Sequence, residues 1–149
     1  MAPDPVIKAI VVCDLIYQDP VTRRLSLLGV VTDVFVAKWP YQPAGMCVYV
    51  VLADMHGTRS IGFQIVHAED GKIVCPRQDV PVGDQDPAGL VQCIAPFQRP
   101  SFPSDGVYAA QVYCNQTLLS EVRFAIIDGG KHAQRYRVSR PSVYRGRRP

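Results

Sequence analysis

The chain has no long apolar run. A bilayer-spanning helix needs about 20 consecutive apolar residues, and the best stretch, residues 9–16, is interrupted by Asp14. The opening Met1-Ala2-Pro3-Asp4-Pro5 lacks the basic segment and small-residue cleavage site of a secretory leader. Neither membrane insertion nor secretion is therefore expected, and the expected location is the cytoplasm. Cysteines are few and poorly spaced for a metal. Cys13, Cys47, Cys75, Cys93 and Cys114 form no C-x-x-C and no Cys/His pair at zinc spacing. Their odd number argues against a disulfide framework. Set in runs such as Val11-Val12-Cys13, they read as small buried hydrophobes. There is also no G-x-S-x-G, no glycine-rich phosphate loop and no convincing helical period. The chain reads as a non-enzyme, with no cofactor and no catalytic residues.

What is present is the composition of one globular domain. The 149 residues are 48% hydrophobic and 19% charged, and a chain of this length buries about 68–70% of its unfolded surface. Short runs of period two carry the pattern. In residues 6–17 the odd positions, from Ile7 to Tyr17, are apolar, while Lys8 and Asp14 lie on the other parity. Residues 25–37 form a long Val/Leu/Phe run with Gly29 inside it, which suggests a bulge or a bend between two sheets. Residues 46–53 are almost continuously apolar, the mark of a central strand covered on both faces.

Alternation returns over residues 60–67, and a turn at residues 68–71 leads to a short strand at 72–75. Residues 76–89, with Pro76, Pro81 and Pro87, read as irregular. A strand at 90–97 and a hairpin of 107–114 with 117–126, turning at Asn115-Gln116, complete the body. The hairpin's second strand is expected to point Leu118, Val122, Phe124 and Ile126 inward. Seven or eight strands, punctuated by 13 prolines and 11 glycines, predict an all-β protein, a single antiparallel β-sandwich at residues 6–127.

Charge is divided sharply along the chain. Up to Gly130 there are nine basic and thirteen acidic residues, a net of −4; residues 131–149 hold seven basic residues and no acid. Residues 128–149 therefore read as a basic, flexible C-terminal arm. Its cations Lys131, Arg135, Arg137, Arg140, Arg145, Arg147 and Arg148 are interleaved with Tyr136 and Tyr144. Arginine neutralises phosphate and tyrosine offers a stacking face, so the composition suits RNA or another polyanion. It equally suits an acidic protein surface, including the −4 body of another copy, or a solvated tail.

Within the body, Asp84 and Asp86 are a weak candidate for a calcium site. They lack the glycine and terminal glutamate of an EF-hand, and aspartate is common in turns. His67, Glu69 and Asp70 cluster at one turn but have no nucleophile motif to serve. Asp14 reads as a structural carboxylate bonding neighbouring backbone. Tyr108, after Asp105-Gly106-Val107, reads as a corner tyrosine whose hydroxyl bonds backbone at the end of the sandwich.

Cys13-Asp14, then Arg24-Leu25-Ser26-Leu27-Leu28-Gly29-Val30, then Phe102-Pro103-x-x-Gly106-x-Tyr108 resemble an uncharacterised bacterial family of unknown function. The resemblance covers about residues 7–127 and implies an immunoglobulin-like sandwich. It brings no catalytic residues, because fold alone does not imply function. The expected role is a non-enzymatic interaction or self-assembly module, working through sheet edges, end loops and the arm. Its expected partner is a protein or other copies of itself. The alternative is a nucleic-acid-associated protein tethered nonspecifically by the arm.

Overall fold

A computed structural model describes residues 3–83 and 89–132, the last two by their backbone alone. In chain order the elements are β1 (Val6–Gln18), β2 (Leu25–Val30), β3 (Asp33–Val36), β4 (Gly45–Ala53), β5 (Arg59–His67), β6 (Ile73–Val82), β7 (Leu90–Gln98), β8 (Gly106–Cys114) and β9 (Thr117–Asp128). One four-residue helical turn, α1 (Gly129–His132), follows. The strands form two sheets, ordered β2-β1-β4-β7 and β3-β9-β8-β5-β6. Every pairing is antiparallel except β3 with β9. The fold is an all-β sandwich of a four-stranded and a five-stranded sheet.

The core lies between the sheets. The first contributes Val12, Met46, Val48, Val50, Leu52, Cys93, Ala95 and Phe97; the second contributes Ile61, Phe63, Ile65, Tyr108, Ala110, Val112, Phe124 and Ile126. Alternation of half-buried and buried residues from Gly45 to Leu52 of β4 shows which parity faces inward. Residues read in sequence as a strand covered on both faces thus have one face in the core. The other face, holding Cys47, Tyr49 and Val51, is half-buried.

Two further expectations are corrected, and one is met at a different residue. In β1 the inward set is Ile7, Ile10 and Val12, not the odd positions, because an irregularity between Ile7 and Ala9 shifts the register. Leu15 and Tyr17 point outward, exposed by more than half. The bend between two sheets read in residues 25–37 is present, but the chain crosses from β2 to β3 at Val31 and Thr32 rather than at Gly29. There Val31 N donates to Val12 O in one sheet, and Thr32 O accepts from Ala125 N in the other. Residues 76–82 are strand rather than irregular loop. Pro76 and Pro81 fit because β6 is an edge, where a missing N–H costs no ladder bond.

The β8–β9 hairpin turns at Asn115, whose φ is 51°. A register shift between Val112 and Tyr113 then changes the parity near the turn. Leu118, opposite Tyr113, is exposed, and Leu119 packs on the core in its place.

Candidate interaction surface

The two sheets present very different outer faces. On the second sheet the middle of the outer face is a network of polar side chains, with Val107 and Leu118 exposed beside it. Gln64 Nε2 donates to Gln111 Oε1 at 2.8 Å and to the Tyr113 hydroxyl at 3.1 Å. Gln111 Nε2 donates to Glu121 Oε2 at 3.0 Å, and Glu121 also pairs with Arg123 at 3.5 Å. Arg77 lies 4.7 Å from the centre of the Tyr113 ring and pairs with Asp79 at 2.8 Å. This face is suited to water.

The first sheet's outer face has no such network. Register places Ala9, Val11, Cys13, Leu15 and Tyr17 of β1 beside Ser26, Leu28 and Val30 of β2, and beside Cys47, Tyr49 and Val51 of β4. Leu90, Gln92, Ile94 and Pro96 of β7 extend the surface. None of these positions carries a charge. Polar groups amount to Ser26, Gln92 and the tyrosine hydroxyls, and Gln92 Nε2 donates to the Tyr49 hydroxyl at 2.7 Å. Leu15, Tyr17, Leu28 and Val30 are 50–58% exposed. These side chains form a contiguous uncharged, largely apolar patch on one face of the molecule.

Near the middle of this face Cys13 pairs in register with Cys47. Burial pushes the Cys13 thiol up to about 11, with Cys47 and the Asp14 carboxylate adding to the effect. Cys47 is raised by burial and then by Asp14. Cys75 and Cys93 are also pushed up to about 11 by burial. All five cysteines are free thiols. At neutral pH none of these four has the thiolate character that nucleophilic chemistry needs.

The other sequence candidates fall as follows. Tyr108 is fully buried, and its hydroxyl donates to the Ser104 carbonyl at the entrance to β8. Gly29 has φ +67°, and the Asp14 carboxylate lies over it, 2.4 Å from where a Cβ would stand. Asp14 itself is exposed, and no hydrogen bond to its carboxylate is made by any described residue. Among the described residues, no backbone group fills the bonding role expected for it.

His67 accepts from Glu69 N at 3.4 Å, approaches Asp70 at 3.6 Å and packs edge-on against Tyr108 at 5.1 Å. It lines a cavity of about 360 Å³ with Asp70, Lys72, Ser101 and Ser104, yet no described nucleophile is hydrogen-bonded to it. No group of three or more metal-ligating side chains occurs among the described residues. Asp84 and Asp86 lie outside the described residues, as do Arg135, Tyr136, Arg137, Arg140, Tyr144, Arg145, Arg147 and Arg148 of the arm. Lys131 is described by its backbone alone.

The uncharged face was the feature that sequence reading missed, although its signal was there. Residues 9–13 of β1 and 46–53 of β4 are apolar on both parities, and such a run is normally covered on both sides.

Among curated proteins, none matches the sequence. Two solved structures are similar in shape. One is the alkylpurine DNA glycosylase AlkC of Pseudomonas fluorescens bound to DNA containing an abasic site analog. It is 8% identical, with a TM-score of 0.44 over 79% of this chain and 30% of that one. The other is an immunoglobulin-like protein of Pseudomonas aeruginosa, 14% identical, with a TM-score of 0.43 over 84% of this chain and 98% of that one. The sequence itself matches the family of unknown function DUF6941 over residues 8–127, and the chain belongs to that family.

Proposed function

We propose that the domain is a non-enzymatic protein-interaction module whose main contact surface is the uncharged outer face of the first sheet. The observation that supports this most is the contrast between the two outer faces. One is a bonded polar network. The other exposes Leu15, Tyr17, Leu28 and Val30 with no charge among them. Water disfavours such a surface by about 25 cal/mol for each Å² that a partner can cover. The free edges β2 and β7 border the same face, so a partner resting there also reaches backbone groups able to pair.

Photo-crosslinking in the native cell tests the reading. A benzophenone amino acid at Leu28 is expected to give protein adducts, while the same probe at Gln64 gives none. Equal labelling from both positions, or none from Leu28, overturns it.

A second reading rests on the seven positive charges of residues 131–149. With Tyr136 and Tyr144, they suit nonspecific tethering to RNA or single-stranded DNA. Its mark is an affinity for single-stranded RNA that falls steeply with salt and is lost in a chain ending at His132. Salt-independent binding, or binding that survives truncation, contradicts it.

A further inference from the structure

We infer that the partner of the first sheet's outer face is the same face of a second copy, the two sheets packing face to face about a two-fold axis. This rests on the interaction-module reading and names its occupant. Charge selects that occupant first. The face offers no carboxylate to the +7 arm of its own chain, so docking the arm there would bury cations without partners. A partner surface of ordinary composition would likewise lose hydration around its charges. An uncharged face is complementary to itself, and a two-fold contact brings together two copies of one patch.

Area agrees with charge. Four strands spaced about 4.8 Å apart, about nine residues long at about 3.3 Å each, present roughly 600 Å² per copy. The pair would then bury about 1,200 Å², the lower limit of the range for specific, stable complexes. Geometry agrees as well. Sheets of one handedness of twist pack aligned at about −30° and about 10 Å apart, a geometry open to two copies of this face. The apolar runs at residues 9–13 of β1 and 46–53 of β4 then have their usual physical meaning, strands covered on both sides.

Sedimentation equilibrium of the full chain at about 50 µM tests this. The expected result is twice the 16.5 kDa chain mass. Leu28→Lys places a charge on the face at a half-exposed position. It should weaken association at least about 100-fold, because a charge buried without a partner is strongly unfavourable, while the circular dichroism spectrum is unchanged. Val107→Lys, exposed on the second sheet, should leave the dimer intact.

A benzophenone at Leu15 should crosslink to peptides of β1, β2, β4 or β7 of another copy. Crosslinks to residues 133–149 would make the arm the occupant and overturn the proposal. A monomeric full chain, or a Leu28→Lys dimer of unchanged affinity, also overturns it. If the monomer still gives adducts to a different protein from Leu28 in the cell, self-association fails and the interaction module stands. If it gives none, both fail.

Discussion

Tyr108 donates its hydroxyl hydrogen bond to the carbonyl of Ser104, four residues upstream, where the chain enters β8. The ring is fully buried, edge-on to Phe102 at 4.9 Å and stacked on Phe124 at 6.0 Å. One end of this side chain is thus core and the other end fixes the loop that precedes the strand. Tyr108→Phe keeps the packing and leaves the carbonyl without its donor. Unfolding by urea should show a loss of about 0.5–1.5 kcal/mol, the net worth of one hydrogen bond, because Ser104 is exposed and water can reach its carbonyl. A change below about 0.5 kcal/mol, the scatter of surface substitutions, would show that the bond contributes nothing.

Gly29 lies opposite Asp14 on the β1–β2 pair and has φ +67°. Two obstacles meet a side chain there, the left-handed backbone and the Asp14 carboxylate. The second is the far end of an exposed side chain and can swing into solvent. The backbone cannot, and an L-residue in that region costs roughly 1–2 kcal/mol. Gly29→Ala should therefore destabilise by about that amount, and the Asp14→Ala/Gly29→Ala pair by nearly as much. Full recovery in the double variant would make the carboxylate, not the backbone, the obstacle.

The fold class was legible because period-two runs and turn residues are local signals, and β5, β7 and β8 lie close to where that pattern puts them. Legibility failed where the signal depends on contrast. With Ile10 and Val12 on one side of β1 and Val11 and Cys13 on the other, hydrophobicity alone does not identify the core side. The shift near Lys8 that decides it leaves no mark of its own. Proline misled at β6, since an edge strand tolerates what an interior strand does not. The uncharged outer face was hidden for the same reason as the β1 parity. A strand apolar on both sides reads as doubly buried until the second sheet is found on one side only.

The hairpin offers a compact check on register. Sequence parity groups Leu118 with Phe124 and Ile126, whereas the shift at Tyr113 sends Leu118 outward and turns Leu119 onto the core. Leu119→Ala should cost about 1–3 kcal/mol, near the low end for a large-to-small change because the side chain is only partly buried. Leu118→Ala should stay within about 0.5 kcal/mol. The reverse ranking in thermal melts would place the hairpin in the unshifted register.

The buried thiols give the protein a pH dependence of definite sign. Burial lifts Cys75 and Cys93 from 9.0 to about 11. Between these values the unfolded chain has released protons that the folded chain still holds. Rising pH therefore favours unfolding. Their contribution is fully present below about pH 9 and is lost as the pH rises through about 11. Tyr41, raised by burial and by Asp14, acts in the same direction and must be separated from them. A Cys75→Ala/Cys93→Ala variant, weaker overall because it removes core volume, achieves this separation. Urea midpoints at about pH 8 and about pH 10 should fall more steeply for the natural sequence than for the variant. Equal falls would mean that the two thiols ionise alike in the folded and unfolded chains, and burial would no longer account for their inertness.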